Sequence, residues 1–300
     1  MTPDSAFIKA MPWVFVLIWS TGFIVARYGM PYAPPMKFLA LRYALSMACF
    51  LPLIYFAKVA WPQSRSQWGH LAVVGILMHA CYLGGVWAAV KAGMGSGLSA
   101  LIVGLQPVLT ALWLSATAAS ISRRQWAGLG LGLLGLLMVV SRKFGTGGEV
   151  TVLNLAFAVF ALLGITIGTL YQKKFVLPCD VRSANAVQLA AALAVTLPLA
   201  WLEQESVQIN AQFIGAMAWS VLALTLGGSS LMYLLIQRGA AATVTSWMYL
   251  VAPMTALLAW ILFAEPITAL TLMGTAICVA GVSLVIRTAP AKTAAKTTAK

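Results

Sequence analysis

Residues 152–173 read VLNLAFAVFALLGITIGTLYQK, an unbroken apolar run whose one charged residue, Lys173, closes it. A helix needs about 20 mostly apolar residues to cross the hydrocarbon of a bilayer. A transmembrane barrel would be written in shorter strands of alternating polarity. Runs of the same kind, rich in Leu, Ala and Gly, follow one another along almost the whole chain. Each reads as a membrane-crossing helix that closes its backbone hydrogen bonds internally. Outward from 152–173, the predicted spans are 12–28, 36–57, 68–91, 96–118, 124–141, 152–173, 183–202, 212–237, 241–263 and 267–287. Turn-forming clusters separate them: Tyr28-Gly29-Met30-Pro31 through Pro34-Pro35, Trp61-Pro62-Gln63-Ser64, Gly145-Thr146-Gly147-Gly148 and Glu265-Pro266. The fold class is therefore an all-α integral membrane protein of ten transmembrane helices.

Composition supports this reading. The chain is 61% hydrophobic and 8% charged, with a mean hydropathy of +0.92, whereas a soluble domain carries roughly a quarter charged residues. The net charge of +13 comes from basic residues scattered between the apolar runs rather than gathered in a stripe. No nucleic-acid partner is expected, and the charges read as topology signals. Cys49, Cys81, Cys179 and Cys278 lie far apart with no CxxC spacing, which suggests neither a zinc site nor a disulfide framework. Lys9 followed by an apolar run to Ala26 resembles a secretory leader, but a matching segment in the second half makes it the first helix. The tail from Thr288, Ala, Thr and Lys almost throughout, has too little apolar bulk to bury a core and is expected to be disordered.

Shifting the chain by 146 residues aligns Gly22 with Gly168, Pro52 with Pro198, Gly69 with Gly215 and Gly93 with Gly239. Pro107 then meets Pro253, Gly128 meets Gly274 and Gly135 meets Gly281, all without a gap. Ungapped coincidence of Gly and Pro marks an internal repeat. Its bounds are 1–146 and 147–288, with a cytoplasmic tail over 289–300. Five spans per half make the second half enter from the opposite side, so the repeats are inverted, as recurs in secondary transporters with a midplane site. Simple duplication in a channel or an enzyme scaffold would leave the same trace. With both termini in the cytoplasm, thirteen basic residues fall on inner segments and five on outer ones, with Arg42 left inside a span. That bias favours this orientation.

Several stretches resemble the EamA family of the drug/metabolite transporter superfamily, over nearly the whole chain. They are Trp19-Ser20-Thr21-Gly22-Phe23, Leu41-Arg42-Tyr43, Leu105-Gln106-Pro107, Gly239-Ala240-Ala241, Val251-Ala252-Pro253 and Phe263-Ala264-Glu265-Pro266. The resemblance implies two tandem five-helix repeats and export of small solutes. Within the family the look is closest to bacterial aromatic amino-acid exporters. Two departures stand out: the acidic residue before the fifth helix is present as Glu265 but its repeat partner is Ala119, and the first span lacks the membrane carboxylate of the related small multidrug-resistance proteins. The second departure argues against a cationic-drug antiporter.

Ionisable groups inside a span are costly and each needs a reason. Arg42, near the outer end of the second span, either snorkels to headgroups or pairs with Glu265, or it guards the outer mouth and meets a substrate carboxylate. His79, mid-span, is either structural glue between helices or a cavity-lining donor and proton-coupling group, with Tyr82 sharing its face. Gln106 precedes Pro107 and Ser99 lies near the same face; Pro253 repeats the arrangement, with Ser246 and Tyr249 on its N-terminal side. Paired proline kinks point to a central site, unless packing alone requires them. Trp61, Trp68 and Trp201 read as interface anchors, while Trp19 belongs to the resemblance's first-span motif and is placed in the cavity. Gly84-Gly85 and Gly227-Gly228 are bending points for alternating access or close-packing positions. Gly130-Leu-Gly132-Leu-Leu-Gly135 satisfies GxGxxG, but it lies within an apolar helix with no strand before it. It is read as a helix-packing stripe.

These readings converge on a secondary transporter that exports small zwitterionic metabolites, amino acids with aromatic or bulky apolar side chains among them, by alternating access. A multidrug or other metabolite exporter of the same superfamily is the alternative. Substrate-lining candidates are Trp19, His79, Tyr82, Ser99, Gln106, Ser246 and Tyr249; gating or mouth candidates are Arg42, Gly84, Gly85, Pro107, Gly227, Gly228 and Pro253. No cofactor, metal or catalytic residue is expected. The expected partners are a small-molecule substrate and the lipid bilayer of a bacterial inner membrane, with a monomer as the working oligomeric state.

Overall fold

A computed structural model describes residues 4–118, 123–143, 150–237, 241–265 and 267–288. The elements of the described chain are all helices, joined by short connections. The helices are α1 (Asp4–Gly29), α2 (Pro35–Phe56), α3 (Arg65–Lys91), α4a (Ser96–Val103) with α4b (Gln106–Ala118), and α5 (Arg123–Lys143). They continue with α6 (Val152–Phe175), α7 (Val181–Leu202), α8 (Ala211–Ile236), α9 (Ala241–Phe263) and α10 (Ala269–Thr288). Helices α2, α3, α6, α7 and α8 are long and apolar enough to cross a bilayer, and the other five carry apolar stretches of 10–17 residues. Large apolar side chains stand outward, among them Leu222, Ile167, Leu163 and Leu257, because lipid is the solvent for that surface. Trp68 and Trp201 are exposed near helix ends and Trp61 is exposed in the connection before α3, where it stacks on Trp68 with ring centres 5.5 Å apart.

Three features depart from the predicted spans. The fourth span is not one kinked helix: it breaks at Gly104-Leu105, and Pro107 sits in the first turn of α4b. A first-turn proline gives up no helical hydrogen bond, since its missing N–H has no partner there anyway. Its repeat partner Pro253 lies inside the continuous helix α9, so the two prolines do different things. Helices α3 and α8 also each widen into a π-helical segment, Ile76–Cys81 and Ser220–Ser229. Such segments interrupt the regular ladder and recur at functional sites. Gly227 and Gly228 lie within the second. The turn at Gly145–Gly148, Ala119 and the tail 289–300 lie outside the described residues.

The ends of the helices show how the bundle is tied. Ser64 caps α3 and Asn210 caps α8, each accepting from the N–H three residues on, and the two positions lie 146 residues apart. Thr151 and Asp180 likewise cap their own helices. Helices α2 and α4a start after Pro34 and Gly95, which offer no side-chain cap. Both borrow a carboxylate from the second half. Glu203 accepts from Met36 N (2.9 Å) and Lys37 N (2.8 Å), and Glu265 accepts from Ser96 N (3.1 Å) and Gly97 N (3.5 Å). The positive ends of the helix dipoles favour these charges. Arg27 pairs with Glu265 and Lys91 with Glu205. These ties fall on segments that the span order puts on one side of the bilayer. On the other side the described ties are mostly neutral, such as Gln67 Nε2 donating to the Leu177 carbonyl (2.6 Å) and Ser183 Oγ to that of Ala60 (3.0 Å).

Glycines set the closest approaches. A Cβ on Gly75 would lie 2.2 Å from the Gln188 carbonyl oxygen, and one on Gly85 would lie 2.7 Å from that of Phe157. Backbone thus meets backbone between α3 and its neighbours α7 and α6. Gly281 of α10 stands equally close to Gly128 and Gly132 of α5, which is the packing role expected for small residues in that stripe.

Candidate substrate cavity

Between the halves lies a cavity with about 630 Å³ of empty space, counting its open mouth. Trp19, Gly22 and Phe23 of α1, Arg42 of α2, and Met78 to Trp87 of α3 form one wall. Gln172 of α6, Gln188 of α7, and Leu224, Ser229, Met232 and Tyr233 of α8 form the other. Each half therefore contributes its first three helices. The π-helical segment of α3 supplies Met78 and His79, and that of α8 supplies Leu224 and Ser229.

The contacts across the cavity are reciprocal under the 146-residue shift. Gly168 of α6 faces Met78, with a would-be Cβ 2.5 Å from its Cγ, and Gly22 of α1 faces Leu224 at 3.5 Å. Arg42 Nε donates to Thr225 Oγ1 at 3.0 Å, while the Gln188 carboxamide faces the His79 ring. The shift carries Arg42 onto Gln188 and His79 onto Thr225. Each half thus reaches from its second helix into the π-helical segment of the other.

The aromatic groups give the cavity its character. Trp19 and Tyr82 lie parallel, with ring centres 6.3 Å apart and planes within 3°, and the buried Trp87 lines the same cavity. A Cβ on Gly228 would come 3.2 Å from Ile18 Cγ2 and 3.5 Å from the Trp19 indole, so α8 packs closely on α1 there. Tyr43 fixes the backbone under His79 by donating to its carbonyl at 2.8 Å, with its ring edge-on to the imidazole. No described carboxylate lines the cavity, and no described cluster of His, Cys, Asp or Glu is arranged to hold a metal.

The structure brings Trp19, His79 and Tyr82 together in this wall, as the sequence suggested, and adds Arg42. Arg42 neither snorkels nor meets Glu265. It is 3% exposed, and Glu265 is taken by Arg27. It lines the cavity wall. Ser99 and Gln106 are buried away from the lining; Gln106 Nε2 donates instead to Thr169 Oγ1 at 3.1 Å. They sit on the fourth helix, which the cavity does not use. The side chains of Ser246 and Tyr249 lie outside the described residues. A Cβ on Gly84 would come 3.3 Å from the Met36 methyl and one on Gly85 2.7 Å from the Phe157 carbonyl oxygen, so both glycines of that pair sit at close approaches. Sequence reasoning missed Gln172, Gln188 and Tyr233, although the repeat that carries Arg42 onto Gln188 was in view.

Over 93% of its length the chain is 25% identical to the "Uncharacterized transporter YvbV" of Bacillus subtilis (strain 168), covering 92% of that protein. It is 26% identical to the "Uncharacterized inner membrane transporter YedA" of Escherichia coli (strain K12), over 81% of this chain and 78% of that one. A Salmonella typhimurium (strain LT2) protein named "Probable amino-acid metabolite efflux pump" is 23% identical over 61% of this chain and 59% of its own. One solved crystal structure, at 16% identity, overlays on 96% of this chain and all of its own with a TM-score of 0.69, which shows a shared fold. Residues 10–141 and 152–287 each match one family description, and on that ground the chain belongs to the EamA-like transporter family.

Proposed function

We propose that this transporter exports small zwitterionic metabolites, amino acids with aromatic or bulky apolar side chains among them, by alternating access through the cavity between its halves. The observation that carries the reading is the lining itself: apolar and aromatic walls around a few polar groups, with no carboxylate among the described residues. Such a pocket suits a large neutral side chain and leaves the polar groups to read the amino-acid end. Two relatives named as amino-acid metabolite efflux pumps agree with it. A multidrug exporter of organic cations would want a carboxylate where this cavity has Arg42. The reciprocal contacts support two inverted repeats, since five helices per half reverse the second half in the membrane. The basic residues favour both termini in the cytoplasm, and a relative named as an inner membrane transporter agrees with a bacterial inner membrane.

Counterflow tests the reading. Purified protein in liposomes preloaded with unlabelled solute is expected to accumulate radiolabelled neutral amino acids, aromatic and branched ones foremost, and not cationic drugs. Accumulation of the drugs without the amino acids would transfer the protein to the multidrug class.

A further inference from the structure

We infer that Arg42 is the residue that reads the carboxylate of the transported solute, with Thr225 setting the direction of its guanidinium. This rests on reading the cavity as the solute's site. Arg42 is 3% exposed and lines the cavity. Its Nε donates to Thr225 Oγ1 at 3.0 Å, and that hydroxyl donates in turn to the Ser220 carbonyl at 2.9 Å. Nε is therefore engaged, on a hydroxyl that is itself pinned to the π-helical segment of α8.

The four N–H bonds on the two Nη atoms remain. Among the described residues no carboxylate comes to them. Glu265 serves Arg27 and α4a, Glu203 the start of α2, Glu205 Lys91, and Asp180 Arg182. A guanidinium enclosed without a counter-ion is costly, by several kcal/mol in a protein interior. The described wall around it is aromatic, aliphatic and amide, with the His79 imidazole and the Ser229 hydroxyl, and supplies no anion. A carboxylate arriving with the solute meets a fork already oriented for two parallel N–H···O bonds. The parallel faces of Trp19 and Tyr82 on the neighbouring helices then suit the ammonium group and the apolar side chain. Arg42 and Thr225 belong to opposite halves, so the same contact that orients the carboxylate also joins the two bodies that must move.

An inorganic anion can meet the same guanidinium, so the test reads the solute's own carboxylate. Counterflow of labelled phenylalanine is compared with that of phenylalaninamide and phenethylamine, which keep the ring and the nitrogen and lack the carboxylate. The wild-type protein is expected to exchange the acid about 10- to 100-fold more efficiently than either analogue. Arg42→Gln is expected to bring that ratio toward one. Arg42→Lys, which keeps the charge and loses the fork, should fall between. Thr225→Val leaves the charge in place and should raise the half-saturating phenylalanine concentration several-fold with little change in maximal rate. Should Arg42→Gln fail to fold, the wild-type ratio and Thr225→Val carry the test. Equal exchange of acid and amide by the wild-type protein overturns the assignment while leaving the amino-acid cavity standing, as does an unchanged ratio in folded Arg42→Gln. Silence with all three solutes overturns the functional reading and this inference with it.

Discussion

Gly75→Ala is expected to destabilise the protein by on the order of 2–4 kcal/mol, seen as a lowered melting temperature in detergent and a smaller monodisperse fraction on size exclusion. The new Cβ would lie 2.2 Å from the Gln188 carbonyl oxygen and 2.6 Å from its Cα. Those are backbone atoms of α7, with no flexible side-chain end to swing away, so α3 and α7 must part by about 1 Å to reach ordinary contact distance. The displaced residue is Gln188, which lines the cavity, so transport by the surviving protein should fall as well. Gly69→Ala, six residues earlier in the same helix, is the control. Gly69 is exposed with nothing within 4 Å of a Cβ, and alanine there should stabilise the helix by up to about 1 kcal/mol. Two alanines of opposite sign in one helix separate steric approach from helix propensity; similar effects from both would show that α3 and α7 are not in backbone contact.

Glu265→Ala is expected to cost roughly 2 kcal/mol, and Glu265→Gln well under half of it. The carboxylate does two jobs at once, accepting from Ser96 N and Gly97 N at the start of α4a and pairing with Arg27. Arg27 also lies over the Phe263 ring, 4.7 Å from its centre. Because the Arg27 side chain is 37% exposed, solvent and salt screen the ion pair, and most of the loss should come from the cap. Glutamine keeps an acceptor for the helix start and gives up only the charge. Thermal melts of both variants at low and high salt read the division; equal loss in the two variants would assign the whole effect to the ion pair.

The ten spans were legible because hydropathy reports where a chain meets lipid, and each span had its own apolar run bounded by turn residues. The break at Gly104-Leu105 was not, since a proline in an apolar run reads equally as a kink or as the first turn of a new helix. The π-helical segments left no trace either: hydropathy carries no mark of a widened turn, which here is held by the neighbours packed on it. The borrowed caps were half visible. Pro34 and Gly95 lack a capping side chain at their helix starts, but only the fold shows that Glu203 and Glu265 arrive from the other half.

The site followed the same division. Trp19, Arg42, His79 and Tyr82 stood out as polar or aromatic groups deep in apolar spans, where their cost demands a reason, and they share one wall. Ser99 and Gln106 were drawn in by the nearby prolines, and the cavity uses the first three helices of each half instead. Gln172 and Gln188 passed unnoticed because amides within a span are less costly than charges and attract less suspicion. Laying the repeat over the polar residues, and not only over Gly and Pro, would have brought Gln188 opposite Arg42.

The most direct test of the cavity as the route of transport is to fill it. Leu83 lines it and is only partly buried, so Leu83→Trp can place an indole in the open space with little demand on the surrounding core. Counterflow of labelled phenylalanine into liposomes should fall at least about tenfold, from the volume lost and the solute contacts displaced, while elution and melting stay near those of the wild type. A folded Leu83→Trp protein that exchanges phenylalanine at the wild-type rate would place the solute elsewhere and contradict the account.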